Sequence, residues 1–207
     1  MPRVELIPDR CALVINDIEQ RMVAPSSPFF APEALAALDE LMPLVDFCRA
    51  HNIPTVFALI GSELIREKAV VRQELASDAE IDPSLCRKAD RFGEHANDFV
   101  FVKRWMSGCI SGTPVVDYVR ERGRDTLIVA GTTLQFGCDT TVREAANLGF
   151  KVVALSDCNA ARPISDQGWG AVSEEEVRKV FLSTWQKAFA RVIPAAEVLA
   201  ELRAAAR

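Results

Sequence analysis

Short apolar runs rich in β-branched residues alternate along this chain with longer segments of helical spacing. We predict strands at 11–15, 55–60, 98–102, 126–130, 151–155 and 191–193. The segments between them predict helices at 32–49, 114–122, 137–148, about 173–190 and from 195 onward. This alternation is typical of a parallel sheet, because a crossover between parallel strands usually contains a helix. We therefore expect an α/β fold: a three-layer αβα sandwich around a mostly parallel sheet of about six strands, in a single domain over 1–207.

Three local features refine this expectation. Pro43 lies inside the first long helical segment, where it should kink or split the helix. The polar stretch 61–97 predicts a helix near 65–75 and no strand. Ser173 and Glu176 have the spacing of a capping box, which should open the long helix that follows.

Charge and composition limit the class of partner. The 207 residues carry a formal net charge of −5 and no run of Lys or Arg, so the chain lacks the positive surface that nucleic acids and anionic membranes attract. No apolar run approaches the length of a membrane span, and no hydrophobic signal-peptide core is found near the start. We expect a cytoplasmic protein that acts on a small soluble metabolite, with no nucleic-acid or membrane partner.

Cysteine and histidine usage limits cofactor chemistry. The six cysteines contain no C-x-x-C pair and lie mostly in apolar segments, which favours reduced thiols over a disulfide or zinc framework. With two histidines, zinc sites built from several histidines are excluded by count, whereas carboxylate or thiolate ligands stay open. No G-x-G-x-x-G or P-loop pattern occurs. We therefore expect no metal and no other cofactor.

Polar residues follow four of the predicted strands, at the edge where parallel sheets bind ligands. They are Asp17, Lys103, the turn 131–138 and Asp157. An aspartate and a lysine that meet in a partly dry cleft stabilise each other's charge, which suits acid–base work, and backbone N–H groups at the start of a helix can hold an oxyanion. Each residue also has a structural interpretation: a cap for Asp17 or Asp157, a solvated cation for Lys103, and a buried small group for Cys138.

Three ordered blocks, each at a predicted strand, read ALVINDIE at 12–19, VKRWMS at 102–107 and GTTLQFGCDTTVREA at 131–145. Together they resemble the isochorismatase-like hydrolases, a superfamily that includes nicotinamidases, N-carbamoylsarcosine amidases and ureidoacrylate amidases. The resemblance covers about 11–159 and implies a parallel sheet between helices. It implies that Asp17 is the catalytic acid or base and that Lys103 is its partner cation. It also implies a homo-oligomer, a dimer or tetramer, and substrate-binding or oxyanion positions at Thr133, Leu134 and Gly137.

The register of the third block departs from the cysteine branch of this superfamily. Counting from Gly131, the nucleophile's position falls on Gly137, and Cys138 comes one residue late. True isochorismatases resemble this chain in having glycine there, because their reaction protonates an enol carbon and adds water without a thiol. Glu19 stands where the family usually has Gln, and the Asp-x-His metal element of nicotinamidases has no counterpart.

Three functions therefore remain open. The first is acid catalysis by Asp17 on an isochorismate-like enol ether. The second is a C–N amidohydrolase in which Cys138 attacks a carbonyl and Asp17 takes its proton. The third is an inactive family member retained as a binding partner.

Overall fold

The computed structural model describes residues 4–62, 82–103 and 108–206. Six parallel strands form one sheet in the order β3-β2-β1-β4-β5-β6. The strands are β1 (Cys11–Asn16), β2 (Thr55–Ile60), β3 (Asp98–Lys103), β4 (Thr126–Thr132), β5 (Lys151–Ala160) and β6 (Arg191–Ile193). The helices are α1 (Gln20–Val23), α2 (Pro32–Ala50), α3 (Val115–Arg120), α4 (Asp139–Asn147), α5 (Glu174–Ala188) and α6 (Ala195–Ala205). The predicted α/β sandwich is confirmed, whereas the helix predicted near 65–75 lies outside the described residues.

The two faces of the sheet are covered by different helices. Every residue of β1 is buried, and successive side chains point to opposite faces. Leu13 and Ile15 pack in the apolar cluster that α2 and α6 complete. Ala12 and Val14 pack in the cluster that contains residues of α3, α4 and α5. This burial on both faces explains why β1 reads as an unbroken apolar run, as expected for an inner strand of a parallel sheet.

Two local predictions for the helices, the capping box and the effect of Pro43, have different outcomes. The capping box is confirmed, because Glu176 N–H donates to Ser173 Oγ at 3.3 Å and Ser173 N–H donates to Glu176 Oε2 at 2.8 Å. A split at Pro43 is wrong, since α2 continues through it. Pro43 and Asp39, whose carbonyl loses its helical partner, are both exposed. Water can therefore satisfy that carbonyl while the buried face of α2 stays packed.

The fifth strand runs five residues further than predicted. The β4–β5 register shifts, so that Val129 pairs with Ala154 but Gly131 pairs with Asn159. Asp157 therefore lies inside β5 and does not follow it. Its carboxylate accepts the Ala195 N–H at 3.0 Å, which caps the start of α6. Asp157 thus takes the structural role that the sequence left open.

A close approach between β1 and β4 depends on Gly131. Its φ is +138°, and a Cβ built there would lie 2.1 Å from the carbonyl oxygen of Asn16. Because that neighbour is backbone, no side-chain rearrangement can make room. Gly131 therefore fixes the strand spacing next to Asp17.

We expect Gly131→Ala to lower the free energy of unfolding by about 3 kcal/mol or more, since it combines backbone strain with a clash. Gly149→Ala is the matched control, because Gly149 also has positive φ (+84°) but a Cβ added there would meet no atom within 4 Å. That control should lose only about 1 kcal/mol. Urea unfolding of both variants measures the difference, and equal losses would contradict the close-approach explanation.

Candidate active site

Asp17 and Lys103 meet at the carboxyl edge of the sheet. Lys103 Nζ lies 2.7 Å from Asp17 Oδ2, and the two residues are only 3% and 4% exposed. Asp17 follows β1 and Lys103 ends β3, with β2 between them, so the backbones are about 10 Å apart and the long lysine side chain spans the gap. A buried, hydrogen-bonded pair of opposite charges at this distance interacts far more strongly than a surface pair.

The backbone of Asp17 is held in an unusual conformation. Its φ of +50° lies in the left-handed region, which few residues other than glycine adopt. Two contacts from neighbouring strands fix it there: Asp17 N–H donates to Ala58 O at 2.9 Å, and Thr132 Oγ1 donates to Asp17 O at 2.9 Å. Strain retained in this way is typical of active-site residues, because it aims a side chain that relaxed backbone would direct elsewhere.

The helical conformation after β4 begins at Leu134, three residues earlier than predicted. The Thr132–Thr133 peptide is cis, and Leu134–Cys138 forms a π-helical turn that leads directly into α4. Thr133 O accepts from Phe136 N–H at 3.0 Å and from Cys138 N–H at 3.3 Å. Thr133 and Leu134 thus open the turn, and the side chain of Leu134 is buried in the core.

Gly137 is the residue of this turn that faces the ion pair. A Cβ at Gly137 would lie 3.3 Å from Asp17 Oδ2, 3.5 Å from Thr132 O and 3.8 Å from Lys103 Nζ. The hydroxyl of Thr141 donates to Gly137 O at 2.7 Å and so fixes the turn from α4. Because position 137 carries no side chain, the backbone of the turn can lie close to the Asp17 carboxylate and the Lys103 ammonium.

Cys138 has a different environment from its neighbour. Its thiol is fully buried in the apolar cluster that includes Leu134, Val142 and Ala145. Burial, reinforced by the negative charge of Asp17, raises the pKa of Cys138 well above its usual value, and the Lys103 ammonium offsets this only in part. The thiol is therefore held in its protonated, unreactive form. The structure brings Asp17, Lys103 and Gly137 together, and the buried Cys138 thiol lies close enough to interact with the charges of both Asp17 and Lys103.

A second buried ion pair lies beside the first. Arg21 Nε donates to Glu19 Oε2 at 2.7 Å, and the Ile60 N–H donates to Glu19 Oε1. Burial raises the pKa of Glu19, the Arg21 guanidinium lowers it, and the charge of Asp17 raises it further. The sequence predicts Glu19 as a negative charge near Asp17, but it did not lead us to predict a role for Arg21. The only signal was a pair of opposite charges just after a buried strand.

The described part of the chain contains neither a metal site nor a membrane-spanning helix. In the ranges 4–62, 82–103 and 108–206, no three His, Cys, Asp or Glu side chains lie together as a metal site would require. Within the same ranges, no helix combines the length and apolar character needed to cross a membrane.

The sequence and the fold match a known family. The family model described as the Isochorismatase domain matches residues 11–197, so the chain belongs to the isochorismatase family and is a hydrolase. Enterobactin synthase component B of Escherichia coli K12 is 27% identical over 157 residues, which cover 74% of this chain and 53% of that protein. The chain therefore spans about half the length of this relative.

Solved structures agree with the family assignment. A cysteine hydrolase from Pseudomonas syringae pv. phaseolicola 1448A superposes with a TM-score of 0.87 at 26% identity, covering 98% of this chain and 97% of that one. An N-carbamoylsarcosine amidase from Thermoplasma acidophilum has a TM-score of 0.70 at 18% identity, covering 89% of this chain and 96% of that one. The second likeness supports the fold alone.

We expect iodoacetamide to modify Cys138 at least about 100-fold more slowly than Cys86 in the native protein, because the Cys138 thiol is buried and protonated. Cys86 is the internal control, since it is partly exposed. The protection should persist from pH 7 to pH 9, as the pKa of Cys138 is raised, and disappear in urea. Peptide mass spectrometry measures both sites, and preferential labelling of native Cys138 would contradict this environment.

Proposed function

We propose that this hydrolase cleaves the enol ether bond of a small anionic metabolite resembling isochorismate, with Asp17 as the general acid. The observation that carries the proposal is the buried Asp17–Lys103 pair next to Gly137, a residue with no side chain that could act as a nucleophile. The buried Cys138 thiol supports the same conclusion, because the reaction needs an acid and water but no thiol.

The mechanism assigns one role to each group. Protonated Asp17 gives its proton to the terminal enol carbon, which forms a C–H bond and leaves a cation stabilised by the ether oxygen. Lys103 stabilises the Asp17 carboxylate that results. Water adds to the cation and returns a proton to Asp17, giving a hemiketal. The hemiketal hydroxyl then loses its proton as the C–O bond to the former ether oxygen breaks, that oxygen takes up a proton, and the products are a ketone and an alcohol.

An amidohydrolase is the second candidate. It is favoured by the likeness to the cysteine hydrolase from Pseudomonas syringae. In that reaction Cys138 would attack an amide carbonyl, and backbone N–H groups at Thr133, Leu134 and Gly137 would bind the oxyanion. This reaction requires the turn before Cys138 to change conformation, because the thiol is buried in the apolar cluster.

We also propose that the protein acts in the cytoplasm, needs no cofactor, and forms a dimer or tetramer. The assembly rests on the family resemblance. Light scattering on the purified protein measures the mass, and a monomer at micromolar concentration would contradict this part of the proposal.

A substrate panel tests the reaction. Isochorismate should release pyruvate, which a coupled assay detects, while ureido and carbamoyl amides of similar size should release no ammonia. Ammonia release without pyruvate release would favour the amidohydrolase. Turnover of neither class would contradict both candidates.

On the preferred substrate, Asp17→Asn should lower kcat by about 10²–10⁴-fold, the usual contribution of a positioned acid, with an unchanged circular dichroism spectrum. Asp157→Asn is the matched control, because its carboxylate also lies near the carboxyl edge but only caps α6. It should keep kcat and lose some stability. Near-normal turnover by folded Asp17→Asn would contradict the assignment of the acid.

Two substitutions in the turn separate the candidates. Gly137→Ala adds a methyl group 3.3 Å from Asp17 Oδ2, so we expect it to raise KM or lower kcat by at least about tenfold without unfolding the protein. Cys138→Ser should keep most of the activity at a modest cost in stability. The amidohydrolase predicts complete loss in Cys138→Ser and an acyl adduct on Cys138 in the wild type, which mass spectrometry detects.

A further inference from the structure

Glu19 contacts the end of β2, the strand that lies between Asp17 and Lys103 in the sheet. It follows Asp17 by two residues, its side chain is fully buried, and its Oε1 accepts the N–H of Ile60. Ile60 is the direct β2 neighbour of Lys103 in the sheet. Asp17 donates its own N–H to Ala58, two residues earlier on the same strand. The Glu19 carboxylate and the Asp17 backbone are therefore both anchored on the end of β2.

The charges that face Glu19 come from three directions. From α1, Arg21 Nε bonds to its Oε2 at 2.7 Å. From the segment before β3, Lys88 forms a backbone bridge to Glu19, while its ammonium bonds to Asp98 at 2.7 Å. On its own loop lies Asp17, already paired with the ammonium from β3. Within residues 4–62, 82–103 and 108–206, Glu19 is thus coupled to one neutralising cation, Arg21, and to one carboxylate, Asp17.

We propose that Glu19 is a positioning residue whose negative charge sets the pH range over which Asp17 carries the proton that it donates. This inference rests on the proposed function, in which Asp17 acts as an acid. Lys103 alone favours the ionised carboxylate, which has no proton to give. A second buried carboxylate opposes that ionisation, and the coupling is mutual: the charge of Asp17 also raises the pKa of Glu19.

The charge of Glu19, and not its shape, distinguishes it at this position. A glutamine has the same size and could accept the same Ile60 N–H through its amide oxygen. A buried ionised carboxylate costs free energy that an amide would not, even with Arg21 as partner. This buried charge lies next to Asp17, the acid of the proposed reaction. There it opposes the ionisation of Asp17, which an amide would not do.

Two substitutions with opposite signs test the inference. Glu19→Gln removes the opposing charge, so Asp17 should lose its proton at lower pH, by about one pH unit. Arg21→Met removes the neutralising cation and should move the titration of Asp17 to higher pH. Carbon-13 NMR of the Asp17 carboxyl group measures both shifts, with the Asp17→Asn spectrum to assign the resonance. The limb of the pH–rate profile that requires protonated Asp17 should move in the same directions.

The controls separate this role from a structural one. Glu201→Gln removes a carboxylate from the ion pair with Arg191, which lies at the start of β6, and should leave the titration of Asp17 unchanged. If Glu19→Gln fails to fold, the double variant Glu19→Gln/Arg21→Met avoids an unpaired buried cation and should keep a smaller downward shift. Unchanged titration, or shifts of the same sign in the two single variants, would overturn the inference. The NMR readout needs no turnover, so failure of the enol ether substrate would count against the proposed function alone.

Discussion

The buried ion pair between Asp17 and Lys103 is the interaction on which the arrangement of this site depends. Taking two charges out of water is costly, so the pair persists only because the surrounding fold holds both groups at 2.7 Å. Thr132 fixes the left-handed backbone of Asp17, and Gly131 lets β4 approach β1 closely enough for that contact. The strand order then places Lys103 within reach. Fold and site thus share the same few backbone constraints.

Much of the fold could be predicted because β1, β2 and β4 are buried along their whole length and therefore read as continuous apolar runs. The extension of β5 could not, since the register shift opposite Gly131 is set by pairing with β4 and leaves no periodic pattern. The sequence also did not show which of the two effects predicted at Pro43, a kink or a split, would occur, and α2 is not split there. Proline leaves the carbonyl four residues earlier without its helical hydrogen bond, so its effect depends on whether water can reach that carbonyl. The sequence does not show this, because the exposure of a residue is set by how the folded helix packs.

The site was predicted in part, and the physical reason differs from residue to residue. Asp17 and Lys103 follow or end strands, and topology brings strand ends to one edge. Which residue of the turn lies beside them depends on where the helix begins. In the π-helical turn at Leu134–Cys138, Gly137 lies beside Asp17 and Lys103. Arg21 was missed because a four-residue helix has no periodicity from which to infer its buried side. Substrate identity depends on contacts that no motif encodes.

We propose that the reacting carbon of an enol ether lies beside the Asp17 carboxyl group, on the side of the Gly137 backbone. The most direct measurement is a crystal structure of Asp17→Asn, which should bind isochorismate without hydrolysing it. The account predicts the terminal enol carbon about 3.5 Å from the side chain of residue 17, on the Gly137 side. A ligand whose reactive atom instead contacts the Cys138 sulfur, in a turn rebuilt to expose the thiol, would contradict it.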